Sequence, residues 1–220
     1  EPKYLNSPET PVVHKGRELY GLFEAQEAIR RRRRVIVCEG YLDVIQLAQA
    51  GIEESVAALG TAITTHHIGE LLRLSEHVIF AFDGDAAGRK AARRALEAAL
   101  PVLADTRRID FVFLPEGEDP DSLVRAHGAA AFEAELGRAL PLSRWFIRTL
   151  SEGRELADAE GRAALLADAG PLLAHTHIAN PKGRVFPLDA DESPYAGFFS
   201  SLCKIGYAGR MSIEASTNDF

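Results

Sequence analysis

Acidic residues follow three short apolar runs of the sequence, each at the point where the run ends. In chain order these acids are Glu39 and Asp43, then Asp83 and Asp85, and then Glu116, Glu118, Asp119 and Asp121. Carboxylate oxygens are the ligands that Mg²⁺ and Mn²⁺ prefer, and carboxylates placed together repel one another unless a cation compensates. Two such ions activate an attacking hydroxyl and stabilise the leaving oxygen in phosphoryl transfer. The pattern therefore predicts a divalent metal site.

Glycines beside the first two groups of acids distinguish metal binding from simple helix capping. In Glu39-Gly40 and in Asp83-Gly84-Asp85, the glycine permits a tight turn from which the carboxylate projects without a crowding neighbour. We therefore expect Glu39, Asp83 and Asp85 to bind metal. Helix capping remains the alternative for the acids of the third group.

The apolar runs alternate with helical patterns, and this alternation predicts a parallel sheet. Buried strands are predicted over 35–38, 55–59, 77–82 and 109–114. Helices are predicted over 17–30, over 41–50, from Thr64 or Thr65 to about 74, over 86–100, and within 121–170 with breaks near Gly128, Pro141 and Gly153. The carboxyl ends of parallel strands lie at one edge of the sheet, where ligands usually bind. We therefore expect the acids to be neighbours in space.

Composition restricts the class of protein without identifying it. The chain has 220 residues, of which 46% are hydrophobic and 26% charged, and its net charge is −7. Such a charge disfavours a protein that coats nucleic acid, but it agrees with an enzyme that gathers acids around metal ions. The two cysteines, Cys38 and Cys203, are far apart, so we expect no zinc ribbon and a reducing, cytoplasmic environment. Because the first residue is Glu1 rather than Met, we expect a fragment of a longer protein.

Five motifs carry a resemblance to one known family. They are 2–10 (PKYLNSPET), 39–44 (EGYLDV), 60–62 (GTA), 82–91 (FDGDAAGRKA) and 114–123 (LPEGEDPDSL). Together they resemble the catalytic core of bacterial DnaG-type DNA primases, and the resemblance covers about residues 1–174. It implies an α/β fold: a Toprim-type parallel sheet flanked by helices and followed by a helical segment. The implied domains are the end of an N-terminal subdomain with its linking helix (1–34), the Toprim domain (35–125) and a helical segment (126–174).

The same resemblance implies an activity and a set of site residues. The activity is synthesis of short RNA primers on a single-stranded DNA template from ribonucleoside triphosphates, with Mg²⁺ or Mn²⁺, two ions in number. The implied metal ligands are Glu39, Asp83 and Asp85, supported by Asp43, Asp119 and Asp121. The implied contacts to nucleotide or template are Lys3, Tyr4, Asn6, Lys15, Arg89 and Lys90. Such primases act with a replicative helicase at the replication fork. We expect the helicase-binding domain and the zinc-binding module to be absent from this chain, which could then prime poorly.

The residues from about His175 onwards change in character. A strand is predicted from His175, an amphipathic helix over 194–205 and a strand over 211–214. This βα-β tail resembles the C-terminal part of xylose-isomerase-like sugar isomerases and epimerases, which are TIM barrels, and implies a vestigial metal site at His177 and Glu214. Because only about two of eight barrel units are present, we expect residues 175–220 to form no independent domain and to have no isomerase activity.

Three other functions remain open at the level of sequence. A different Toprim enzyme, either a nuclease or a topoisomerase, would use the same acids, although the segment 2–10 favours the primase. A non-catalytic nucleic-acid-binding fragment would bind metal and nucleotide without turnover. A sugar isomerase would interconvert aldoses and ketoses through the tail. The run of five arginines over 30–34 is either a solvated helix end or a nucleic-acid contact.

Overall fold

The computed structural model describes residues 14, 16–60, 62–103, 106–152, 175–178 and 210–213, together with residues 200, 203, 204 and 206. The chain divides into two compact units, residues 1–146 and 147–220. The strands of the first unit are β1 (Leu19–Tyr20), β2 (Val35–Cys38), β3 (Ser55–Ala58), β4 (His77–Phe82), β5 (Arg108–Phe113) and β6 (Leu140–Pro141). The helices are α1 (Leu22–Arg32), α2 (Tyr41–Gln49), α3 (Thr65–Leu74), α4 (Ala86–Ala99), α5 (Pro120–His127), α6 (Ala129–Leu136) and α7 (Leu142–Ser151), which crosses the unit boundary.

A six-stranded sheet forms the centre of the first unit, in the order β1-β3-β2-β4-β5-β6. The four inner strands run parallel, which confirms the predicted parallel sheet. The two edge strands, β1 and β6, run antiparallel to their neighbours. The prediction of a helix over 17–30 is wrong at its start, because Leu19 and Tyr20 pair with β3 before Gly21, at φ 76°, turns the chain into α1. A two-residue edge strand is too short to produce a periodic pattern.

Helices cover both faces of this sheet, so its central strands are apolar along their whole length. On one face, α1, α3 and α4 pack over Phe80 and Phe111, whose rings stack 5.4 Å apart between centroids. On the other face, α2, α5 and α6 pack over Ile36 and Ile79. The burial fixes the strands in register and so fixes where each strand ends.

The second unit contains two described strands, β7 (His175–Ile178) and β8 (Arg210–Ile213), which pair in parallel. β7 begins at His175, where a strand is predicted, and β8 lies one residue before the strand predicted over 211–214. Most of the predicted helix over 194–205 lies outside the described residues. Among the helices that the structure describes, none is long and apolar enough to cross a membrane.

Candidate active site

Glu39 and Asp83 lie side by side because their strands are neighbours. Glu39 follows β2 and Asp83 follows β4, and these parallel strands pair directly. The backbone N–H of Asp83 donates a hydrogen bond to Glu39 Oε1 over 3.2 Å. The sheet thus brings together two of the three predicted main ligands, which are 44 positions apart in the sequence.

Asp83 occupies the least favourable electrostatic position of the cluster. Its side chain is half-buried, and among the described residues its Oδ1 atom has no hydrogen-bond partner. Burial, which is the largest cause, and the surrounding negative charges together raise the pKa of Asp83 to about 7. Those charges belong to Glu39, Asp43, Asp119 and Asp85. A buried carboxylate oxygen without a donor, among other carboxylates, is chemically suited to a divalent cation.

Glu39 and Asp85 are the exposed acids next to Asp83. Burial of part of the Glu39 carboxylate raises its pKa; the hydrogen bond from Asp83 acts in the opposite direction, and the charge of Asp85 raises the pKa further. Asp85 Oδ1 accepts a hydrogen bond from the Gly88 N–H over 2.7 Å and so caps α4. Asp85 therefore faces the other acids and also begins a helix.

Asp43, predicted as a supporting ligand, is buried and held by two backbone groups. Its Oδ2 atom accepts a hydrogen bond from the Gly40 N–H at 3.0 Å, and its Oδ1 atom accepts one from the Asp121 N–H at 3.3 Å. Burial raises the pKa of Asp43 to about 6, against the effect of the Gly40 hydrogen bond. The side chain thereby links the turn after β2 to the start of α5.

The acids of the third loop are largely engaged in local contacts. Asp119 Oδ1 accepts a hydrogen bond from the Ser122 N–H over 2.6 Å and caps α5. The Asp121 carboxylate pairs with Arg125 Nε at 2.5 Å. Glu118 Oε2 accepts a hydrogen bond from the Ser122 hydroxyl, whereas Glu116 is exposed. Asp119 therefore caps a helix, and its negative charge also raises the pKa of Asp83.

Two glycines allow the loops around the cluster to approach closely. A Cβ atom at Gly84 would lie 2.2 Å from the Pro115 carbonyl oxygen, and one at Gly88 would lie 2.2 Å from the Asp83 carbonyl oxygen. The Gly84 N–H also donates a hydrogen bond to the Glu118 carbonyl at 3.3 Å. The sequence indicated a tight turn at Gly84, but the contact between the loops after β4 and β5 was missed because no local pattern reports it.

The remaining predicted site residues are not brought into this cluster by the described structure. Arg89 and Lys90 are exposed on the first turns of α4. Lys3, Tyr4, Asn6, Lys15 and Glu214 lie outside the described residues, and of His177 only the backbone, in β7, is described. Among the described residues, no three His, Cys, Asp or Glu side chains have the spacing of a formed metal-ligand set. The acids are neighbours whose side chains must rotate to share one ion.

Most of the arginine run is engaged in ion pairs. Arg31 contacts Glu53 at 3.0 Å, Arg33 contacts Glu76 at 3.3 Å, and Arg34 contacts Glu54 at 2.8 Å. Arg32 lies 3.9 Å from Glu54 and from Glu133. The run also precedes β2, at the opposite end of the parallel strands from the acids. These contacts favour a structural role over a nucleic-acid contact.

Comparison with known proteins shows which proteins the first unit resembles. Residues 33–111 match the model of the Toprim domain. The DNA primase of Pseudomonas aeruginosa is 56% identical over 174 residues, covering 79% of this chain and 26% of the relative. A solved DNA primase domain from that organism superposes with a TM-score of 0.76 and covers 79% of this chain and 54% of the other. Residues 33–111 thus resemble the Toprim domain of these primases.

Other proteins that resemble this chain are also DNA primases. The DNA primase of Escherichia coli strain K12 is 53% identical over 173 residues, covering 79% of this chain and 30% of the relative. The solved DnaG primase catalytic domain bound to single-stranded DNA superposes with a TM-score of 0.73 at 53% identity, covering 78% of this chain and 55% of the other. The chain thus spans about a quarter to a third of the length of the curated relatives it matches.

Two expectations about the region after the Toprim domain are not upheld. Residues 143–175 match the model of the DnaB-helicase binding domain of primase, so the expectation that no such segment is present is wrong. The comparisons give no support to the resemblance of the tail to sugar isomerases. One solved DnaG catalytic core instead covers 94% of this chain at 45% identity, a span that reaches beyond residue 174.

Proposed function

We propose that the chain carries part of the nucleotidyl-transfer centre of a DNA primase, which extends an RNA primer on single-stranded DNA. The observation that carries the proposal is the half-buried Asp83 carboxylate, which follows β4 directly beside Glu39. One of its oxygens is buried and has no hydrogen-bond partner in the described part of the chain. The names of the relatives and of the matched structures support the same reaction.

In this proposal, Glu39, Asp83 and Asp85 hold Mg²⁺ or Mn²⁺, with two ions at full occupancy and with Asp119 as a further ligand. The bound metal would stabilise negative charge on a nucleoside triphosphate and on the attacking 3′-hydroxyl. Asp43 holds the turn after β2 against the start of α5, and Asp121 acts through its backbone N–H. No zinc is required by this set of oxygen ligands.

The relatives support two further partners. The proposed contacts to the template or to the incoming nucleotide are Lys3, Tyr4, Asn6, Lys15, Arg89 and Lys90. Residues 143–175 are proposed to contact a replicative helicase at the replication fork, and direct binding of this chain to such a helicase would test that assignment. A nuclease or topoisomerase activity is not favoured, because the relatives and solved structures named above are primases.

The test compares Mn²⁺ binding and primer synthesis in the native chain and in Asp83→Asn. We expect Mn²⁺ affinity to fall at least tenfold in the variant, because the remaining acids lose a central charge while the side chain keeps its size. Mn²⁺ binding is measured by electron paramagnetic resonance without nucleotide, so this readout does not depend on catalysis. Primer synthesis on single-stranded DNA is measured separately.

Glu116→Gln is the matched control, because it removes one negative charge from an exposed acid of the neighbouring loop. It should change Mn²⁺ affinity by less than about twofold. Equal losses of Mn²⁺ affinity in both variants would show that only the net charge matters. Unchanged Mn²⁺ affinity in Asp83→Asn would reject the proposed metal site. Metal binding without any primer synthesis would instead favour a non-catalytic nucleic-acid-binding fragment.

A further inference from the structure

A cavity of about 210 Å³ lies on the face of the sheet that α1, α3 and α4 cover, near the carboxyl ends of the inner strands. Its walls come from β2, β3, β4, the loop before α3, and α4. Among the described residues that line it, all but Glu39 and Arg94 are apolar. An apolar cavity with a few polar groups at its edge is the usual form of a small-molecule site.

The floor of this cavity belongs to the core, whereas its mouth is open to solvent. On the floor, Phe80 and Phe82 are 1% and 4% exposed, and their ring centroids lie 5.9 Å apart. At the mouth, Ala62 and Arg94 are exposed. The wall formed by α4 carries Ala91, whose short side chain leaves space that a larger one would fill. A ligand can therefore enter from solvent and bury an apolar ring against the two phenylalanines.

The volume of the cavity limits the ligand to a single small ring. Pockets for drug-sized ligands measure roughly 300–1,000 Å³, and an apolar cavity of about 150 Å³ takes benzene. A cavity of about 210 Å³ therefore accommodates one aromatic ring with one substituent, and it is too small for a nucleotide. The cavity is thus a different site from the proposed contacts to template or nucleotide.

Arg94 decides the charge of the ligand that the cavity would take. This side chain is exposed, and within the described part of the chain it forms no ion pair. A guanidinium binds a carboxylate through two parallel hydrogen bonds. Glu39, in contrast, already accepts a hydrogen bond from the Asp83 N–H, and its negative charge repels a carboxylate. A ring in the cavity would therefore direct an attached carboxylate toward Arg94 and away from Glu39.

We propose that this cavity binds a small aromatic carboxylate, with the ring against Phe80 and Phe82 and the carboxylate on Arg94. The inference goes beyond the proposed nucleotidyl-transfer centre and does not depend on it, because neither contact needs a metal ion or nucleic acid. Because Glu39 is part of the lining, an occupied cavity places the ligand directly beside the acidic cluster. The site thereby offers a way for a small molecule to act on that cluster.

The experiment follows binding of 4-fluorobenzoate to the native chain by fluorine NMR in EDTA. We expect a dissociation constant on the order of a millimolar, because the ligand has few atoms. The neutral 4-fluorobenzamide has nearly the same shape and should bind at least about fivefold more weakly. Absence of detectable 4-fluorobenzoate binding at about 20 mM would overturn the proposal. Tighter binding of the cationic 4-fluorobenzamidine than of the acid would overturn it as well.

Ala91→Leu tests the position of the ring, because leucine fills the cavity and is a good helix former. We expect this variant to bind 4-fluorobenzoate at least about tenfold more weakly. Ala98→Leu is the matched control, since Ala98 lies seven positions further along α4, is partly buried against the same core, and is not among the described residues that line the cavity. It should change the affinity by less than about twofold. Equal weakening in the two variants would contradict the site.

Arg94→Gln tests the carboxylate contact. We expect this variant to lose the preference for the acid over the amide, while its affinity for the amide stays within about twofold of the native value. Arg93→Gln is the control, because Arg93 is an exposed neighbour of equal charge that is absent from the described lining. A preference that survives in Arg94→Gln, or is lost equally in Arg93→Gln, would reject the role of Arg94. Thermal melting of all four variants excludes misfolding, and the use of EDTA separates this result from failure of the metal site.

Discussion

At the scale of single residues, Asp83 shows a conflict between stability and the proposed function. Burial and four negative neighbours raise its pKa to about 7, far above the ordinary value near 3.8. An acid whose pKa is raised on folding binds its proton more tightly in the folded state. The free energy of unfolding therefore falls as the pH rises from 3.8 to about 7. The unfavourable ionised form predominates above about pH 7, and a bound cation would offset its cost.

We therefore expect Asp83→Asn to stabilise the chain in EDTA at pH 8, by about 1 kcal/mol, since the side chain is half-buried and solvent screens part of the repulsion. The gain should shrink toward pH 5, where the native Asp83 is already protonated. Urea unfolding at both pH values measures it. A destabilised variant at pH 8, or a gain that does not vary with pH, would contradict this account of Asp83.

At the scale of elements, the site depends on turns that pack against each other. Gly84 lies between β4 and α4, and its Cα faces the carbonyl oxygens of Leu114 and Pro115 in the next loop. The capping hydrogen bond of Asp85 then starts α4 directly after this contact. The positions of Asp83 and Asp85 are therefore set by the neighbouring loop as well as by their own strand.

Substitution of Gly84 by alanine tests this packing. The added Cβ would lie 2.2 Å from the Pro115 carbonyl oxygen, so backbone must shift. We expect Gly84→Ala to lower the free energy of unfolding by about 2–3 kcal/mol and to weaken Mn²⁺ binding.

The matched control is Gly69→Ala within α3, where an added Cβ meets no atom within 4 Å. This substitution should raise the free energy of unfolding by about 0.5–1 kcal/mol, because alanine is the better helix former. Chemical unfolding of both variants measures the difference. If Gly84→Ala were as stable as the native chain, the close contact between the loops would be wrong.

At the scale of the whole molecule, ion pairs join elements of the first unit at the end of the sheet opposite the acids. Arg34 contacts Glu54, which precedes β3, and Glu133 of α6, both at 2.8 Å or less. Glu54 is 1% exposed, so its charge depends on arginine partners. The network connects positions as far apart as 99 residues.

We expect Arg34→Met to lower the free energy of unfolding by about 2–3 kcal/mol, because it leaves a buried carboxylate with only the more distant Arg32. Arg31→Met is the control, since the Arg31–Glu53 pair is more than half exposed on both sides. Arg31→Met should change the free energy of unfolding by no more than about 0.5 kcal/mol. Similar values for the two variants in urea unfolding would show that the buried network contributes no more than a surface pair.

The sequence by itself determined the inner strands, most helices and the identity of the acids. Burial on both faces makes each central strand a continuous apolar run, and the acids and glycines directly after those runs are visible in the linear order. The cap at Thr64 and the end of α4 near residue 100 follow from equally local signals.

Only the tertiary structure decided which strands are neighbours, and hence that Glu39 lies beside Asp83. Pairing order, the edge strands β1 and β6, and the contact of Gly84 with the next loop depend on residues distant in the sequence, which no periodicity encodes. The arginine run was ambiguous for the same reason, because its partners Glu53, Glu54 and Glu76 become neighbours only in the folded chain. The residue types that could bind metal are therefore evident from short stretches of sequence, whereas their positions relative to one another depend on how the strands pair.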